Sequence, residues 1–129
     1  AAIGVAQLER LDAKIDRRDL IAALYRHEFS GAFNGLVQLP PPHLYHTWHL
    51  YPIRVPAERR DALLDHLADR GISAGVHYKP LTYYPMFSGQ PTPPVTEREW
   101  RRLVSLPIYA DMTDSEQDRV IEAVREFFR

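Results

Sequence analysis

The segment Val76-His77-Tyr78-Lys79-Pro80-Leu81 sets an imidazole, a phenol and an amine on consecutive residues, at the end of a short apolar run and ahead of a proline-rich stretch. Such a cluster at a strand exit suits a small-molecule site. His77 can bond a hydroxyl or a phosphate, Tyr78 can stack or donate, and Lys79 can pair with an anion or, if desolvated, act as an amine nucleophile. A plain structural account stands beside this one, with His77 capping a packing edge and Lys79 solvated. Three other groupings carry less. Gly71-Ile72-Ser73-Ala74-Gly75 has the spacing of a nucleophile elbow, but an elbow joins a strand to a following helix, and here a glycine-capped helix precedes a strand. His43, His46 and His49 recur at every third position. On a helix they would share a face fit for a metal, but on the strand expected here they alternate sides, so no metal site is expected. Arg17-Arg18, Arg59-Arg60 and Arg101-Arg102 lie among acids on helical stretches and read as solvated, salt-bridged faces. No Walker or dinucleotide glycine pattern occurs.

Composition narrows the chemistry further. The chain has 129 residues, no cysteine, and a formal charge of −1 from 16 basic and 17 acidic residues. Thiol catalysis, disulfides and Cys-ligated zinc are excluded, and the balanced charge argues against nucleic acid as a partner. No apolar run approaches the length of a membrane span, and residues 1–7 do not read as a signal peptide. Only Lys14 and Lys79 are lysines, so any chemistry that requires one has two candidates. The opening without Met, directly into a helical pattern, is expected of a piece of something longer.

The elements that must position these residues can be read from periodicity. Residues 3–29 read as a long helix with Leu8, Leu11, Ile15, Ala22, Tyr25 and Phe29 on one face and Gly31 as its stop. After Pro40-Pro41-Pro42, residues 45–55 alternate as a strand, with Pro52 marking an edge or a bulge. Pro56 opens a helix to about Arg70, with Leu63, Leu64, Leu67 and Ala68 as its buried stripe and Gly71 as its cap. Residues 72–78 are expected as a short strand, and 79–94, with five prolines, as a long loop. Thr96 with Glu99 and Thr113 with Glu116 read as capping boxes opening two further helices, with a strand at 104–109 between them. The order predicts an α/β class, an α+β two-layer sandwich in which a small sheet of about three strands packs with helices and is entered by the long N-terminal helix.

Taken together, Ala1-Ala2-Ile3-Gly4-Val5-Ala6-Gln7-Leu8, Trp48-His49-Leu50-Tyr51 through Arg54-Val55-Pro56, Arg70-Gly71-Ile72 to His77-Tyr78-Lys79-Pro80-Leu81, and Ser105-Leu106-Pro107-Ile108-Tyr109 followed by Asp111-Met112-Thr113-Asp114 resemble, in order and over almost the whole chain, the C-terminal small domain of the DegT/DnrJ/StrS sugar aminotransferases. These are pyridoxal-phosphate enzymes of the aspartate-aminotransferase fold. The resemblance implies a cytoplasmic homodimer that, when intact, moves an amino group from an amino acid, usually glutamate, to a keto sugar, commonly nucleotide-linked. It implies that residues 1–129 are a single small domain, with 1–30 as the inter-domain helix and 45–129 as the α/β body. The family's Schiff-base lysine, its acid partner for the pyridine nitrogen, its stacking aromatic and its phosphate cradle belong to the large domain. No catalytic or cofactor-binding residue is therefore expected in this chain, and no pyridoxal phosphate bound to it alone. Neither Lys14 nor Lys79 matches the family's lysine motif. His77 and Tyr78 do match and carry over a substrate-binding role; Thr82 stands where many members have a histidine. The competing expectation is a stand-alone α/β small-molecule-binding or regulatory module without catalysis.

Overall fold

The computed structural model describes residues 2–42, 45–87 and 89–129. Its helices are α1 (Ala2–Leu8), α2 (Leu11–Phe29), α3 (Ala57–Ala68), α4 (Pro94–Trp100) and α5 (Asp114–Phe128); its strands are β1 (Tyr51–Arg54) and β2 (Leu103–Leu106). The strands pair antiparallel, with Tyr51 opposite Leu106 and Ile53 opposite Val104. Single bridges extend each edge, Gln38 to Arg54 on one side and Gly75 to Ser105 on the other. The α+β class is the one the sequence predicts, but the sheet has two strands rather than about three.

The missing third strand has a local cause. Gly71, at φ 70°, lets its N–H reach the Ala68 carbonyl and the Ile72 N–H reach the Leu67 carbonyl, each at 2.9 Å. These are the two bonds of a Schellman motif, and they stop α3 as expected. Beyond it the chain is made of small residues, and only Gly75 joins the ladder, through two bonds to Ser105 of 3.2 and 2.7 Å. The first strand is also shorter than the alternation suggests. Trp48 takes a φ of 45°, and its N–H bonds the His46 ring at 2.9 Å, a local bond that competes with a ladder. Pairing therefore starts at Tyr51, from which Tyr51, Ile53 and Val55 point inward.

The N-terminal helix is interrupted at Glu9-Arg10 rather than continuous. The buried residues of α2, Ile21, Ala22, Tyr25 and Phe29, all lie in its second half; Leu8 and Leu11, expected on the buried face, are exposed. Helix α4 begins at Pro94, two residues ahead of Thr96, so the Thr96–Glu99 box does not form and Glu99 pairs with Arg54 at 2.8 Å instead. The Thr113–Glu116 box does form, in both directions.

The core lies between the sheet and helices α2, α3 and α5. Ile53, Val104, Leu63, Leu67 and Val124 are sealed within it, and truncating Ile53, Leu63 or Leu67 to alanine costs about 2–5 kcal/mol. Tyr25 stacks on Phe29 at 5.8 Å and lies against Tyr51 at 5.1 Å, and Tyr51 meets Trp48 at 5.6 Å. This aromatic row joins α2 to the sheet and to the turn that precedes β1. Among the described residues, no helix is long and apolar enough to cross a membrane.

Candidate functional site

The edge of β2 opposite β1 carries the site. The bridge to Ser105 holds Gly75, and two residues later the imidazole of His77 folds back over it. A Cβ placed on Gly75 would stand 3.2 Å from His77 Cε1, so only glycine gives the ring this seat without displacing it. The result is a groove of about 310 Å³ lined by His49, Ser73, Gly75, His77, Ser105 and Pro107, among others. Leu50, Leu106 and Ile108 are among its apolar lining, and its polar residues come from three segments of chain. His77 Nδ1 and Ser105 Oγ are both buried and have no hydrogen-bond partner in the protein. A small groove with a few convergent polar groups on an otherwise apolar wall is the usual form of a small-molecule subsite.

The two predicted site residues differ in placement. His77 is half-buried and lines the groove. Tyr78, joined to it by a cis peptide bond, is 69% exposed and stands outside the lining, its ring edge-on to His77 at 5.0 Å. An exposed phenol beside a lined cavity can close over a ligand that enters it. In the sequence Ser105 stands only within the family resemblance, and Gly75 there and in the elbow-like spacing of residues 71–75. What reveals them is the single bridge that sets them face to face.

The segment after Lys79 forms two tight turns, Leu81–Tyr83 and Pro85–Phe87. Tyr83 packs on Trp100 at 5.0 Å and donates its hydroxyl to Glu97 at 2.6 Å. That bond is the first reason the phenol is held above its ordinary range and the Glu97 carboxyl below its own. Thr82 shares a hydroxyl–hydroxyl bond of 2.5 Å with Thr92. The long loop is thus tied to α4.

The remaining candidates fall to structural roles. Arg17 donates to the Met112 carbonyl at 2.6 Å and pairs with Asp114; Arg59 donates to the Phe127 carbonyl at 2.9 Å; Arg101 pairs with Glu97 at 2.5 Å. These guanidinium groups are spent on the fold, and none faces an open anion site. Ser73 lies past a helix cap rather than on a strand-to-helix turn, so the elbow geometry is absent. His43 lies outside the described residues. Among the described residues, no three His, Asp or Glu side chains come together to hold a metal.

Residues 1–125 match the DegT/DnrJ/EryC1/StrS aminotransferase family. Three solved structures show the same fold. TlmJ, an aminotransferase from Streptoalloteichus hindustanus, is 30% identical, superposes with a TM-score of 0.91 and matches over 97% of this chain and 34% of its own. DesV from S. venezuelae, in complex with a ketimine intermediate, is 33% identical with a TM-score of 0.85, over 99% of this chain and 35% of its own. NtdA from Bacillus subtilis, with bound cofactor PMP, is 29% identical with a TM-score of 0.87, over 98% of this chain and 31% of its own. The chain spans about a third of the length of the structures it matches. Aminotransferases of this family use pyridoxal phosphate, and the two lysines here do not fit the amine that would hold it. Lys14 bonds the Gln7 side chain on the polar side of α2. Lys79 is exposed, with its ammonium 5.5 and 5.9 Å from the ring centres of Tyr83 and Tyr84. Neither lies in an enclosed pocket beside a phosphate cradle.

Proposed function

This chain belongs to the DegT/DnrJ/EryC1/StrS aminotransferase family, and from that membership we infer that it forms one wall of the active site of a pyridoxal-phosphate-dependent sugar aminotransferase. The observation that carries the reading is the family match over residues 1–125, a range that spans His77, supported by the agreement with TlmJ along 97% of the chain. In this reading residues 1–129 are the small domain, with 1–30 as its connecting helix and 45–129 as its body. The cofactor is held by residues outside this chain, and the chain alone does not transaminate. His77 binds a sugar oxygen in the groove, and Tyr78 closes the groove from its exposed side. The amino donor is glutamate and the acceptor a keto sugar carried on a nucleotide; the working unit is a cytoplasmic homodimer.

The arrangement supports a binding role for this wall. The groove offers hydrogen-bonding groups on an apolar base, which suits a ring that presents hydroxyls at its rim and C–H groups on its face. Its described lining holds no carboxylate, lysine or arginine. The test uses the reading frame upstream of Ala1. Expressed with it, the protein should form 2-oxoglutarate from glutamate only when a keto sugar is supplied, and the 129-residue chain should not. His77→Ala should raise the sugar KM about tenfold or more while the glutamate KM stays unchanged. A start codon immediately upstream, or equal effects on both KM values, overturns the reading.

A further inference from the structure

Two polar atoms of the groove, His77 Nδ1 and Ser105 Oγ, are buried without a hydrogen-bond partner. Gly75 and Ser105 exchange both N–H···O bonds, which makes them a directly opposed antiparallel pair. Side chains of such a pair project to the same face. On that face Gly75 contributes no side chain, and the His77 ring occupies the room instead. A Gly75 Cβ would be 3.2 Å from Cε1 and 3.8 Å from Nδ1 of that ring. Ser105 therefore projects beside the buried edge of the imidazole, and it is itself only 4% exposed. The other polar side chains of the groove, His49 and Ser73, are both exposed. Among the described residues that line the groove, Ser105 thus carries the one buried hydroxyl.

We propose that Ser105 is a positioning residue for His77: rotation about its Cα–Cβ bond lets its hydroxyl donate to Nδ1 and so fix the imidazole tautomer. A neutral imidazole carries one N–H and one lone pair, and a hydroxyl can donate or accept. Donation to Nδ1 holds the lone pair there and the proton on Nε2, the nitrogen not sealed against the bridge. The groove then presents an N–H donor in a fixed direction, complementary to an oxygen of a polyhydroxylated ligand. Gly75 is the second half of the device, since a Cβ there would stand 3.2 Å from Cε1 and require the ring to shift. The inference rests on the reading of His77 as a sugar-binding residue for its purpose, but not for its test, which needs no ligand.

The test is the imidazole 15N spectrum of the labelled protein at about pH 8.5, where ordinary histidines are neutral. His77 should show one tautomer, protonated at Nε2, with its Nδ1 resonance displaced from the position of an unbonded imidazole nitrogen. Ser105→Ala should return that resonance to the unbonded position, and Ser105→Thr, which restores a hydroxyl, should displace it again. A proton on Nδ1 in the unsubstituted protein overturns the proposal, and so does an unchanged Nδ1 resonance in Ser105→Ala. If Ser105→Ala does not fold, the unsubstituted protein still decides through the site of its proton. Keto-sugar dependence of the longer protein is read separately, so failure of either idea is distinguishable from failure of the other.

Discussion

The hydroxyl of Tyr25, in the middle of α2, donates to the backbone carbonyl of Pro107 at 2.9 Å. The two residues are 82 positions apart, and Pro107 lines the His77 groove. The bond therefore links the N-terminal helix to the segment that leaves β2 along the site. Tyr25→Phe keeps the ring packing on Phe29 and Tyr51 but strips the carbonyl of its donor. The expected loss is about 1–3 kcal/mol, read as a lowered urea midpoint with an unchanged m-value. An unaltered midpoint would show that the carbonyl finds another partner.

Burial gives the protein an alkaline weakness. Desolvation pushes the Tyr51 phenol up to about 12, against a smaller opposing pull from Arg26, and pushes Tyr25 up as well. An unfolded tyrosine ionises near 10. Above that pH the unfolded chain has released a proton that the native state still holds, so stability falls as pH rises. Tyr51 alone should account for about 1 kcal/mol lost between about pH 9 and about pH 11. Urea titrations at both pH values check this, and Tyr51→Phe should flatten the difference; equal slopes in the two proteins would remove Tyr51 from the account.

The N-terminus of α5 shows the opposite sign. The Thr113 hydroxyl accepts the Glu116 N–H at 3.2 Å, while Glu116 accepts the Thr113 N–H at 2.8 Å. The backbone N–H first, and then the Thr113 hydroxyl, hold the Glu116 carboxyl below its ordinary range. A lowered carboxylate contributes stability above its unfolded pKa and loses that contribution as pH falls through the folded value. Thr113→Ala should cost about 1 kcal/mol near neutrality, and thermal melts should show that cost shrinking as pH falls and Glu116 is protonated. A cost independent of pH would mean that the bond the Thr113 hydroxyl donates to the Glu116 carboxylate contributes nothing.

These features were unequally legible in the sequence. The Thr113 box, the Gly71 stop and the inward set Tyr51, Ile53 and Val55 follow from local pattern, because a cap or an alternating face is specified by residues a few positions apart. The Thr96 box failed because Pro94 fixes an earlier helix start, and helix boundaries depend on which of two adjacent signals wins. Residues 72–78 misled for a different reason. Their alternation is strand-like, but whether such a segment joins a ladder depends on a partner thirty residues away, and small side chains leave only the Gly75 bridge. The site followed the same rule. His77 was visible as a residue type beside a long loop, whereas Ser105 has no chemical signature of its own and becomes a candidate only when the bridge sets it across from Gly75.

Lysine scarcity makes the last prediction sharp. An imine-forming lysine must present a neutral amine, which proteins achieve by desolvation or by a neighbouring cation. Lys79 has neither: it is exposed, and its ammonium lies over two phenol rings, an arrangement that attracts a cation. Lys14 is committed to Gln7 on a helix whose flanks carry Asp12 and Asp16. Mixed with equimolar pyridoxal phosphate, the 129-residue chain should therefore show no stoichiometric yellow imine, and borohydride treatment should leave no cofactor mass on the peptide containing Lys79. Weak labelling at high cofactor concentration should be equal at both lysines and unaffected by unlabelled sugar. A one-to-one adduct lost in Lys79→Ala but retained in Lys14→Ala would place the cofactor on this wall, and would overturn the division of labour in which this chain supplies the sugar groove and another part of the protein the cofactor.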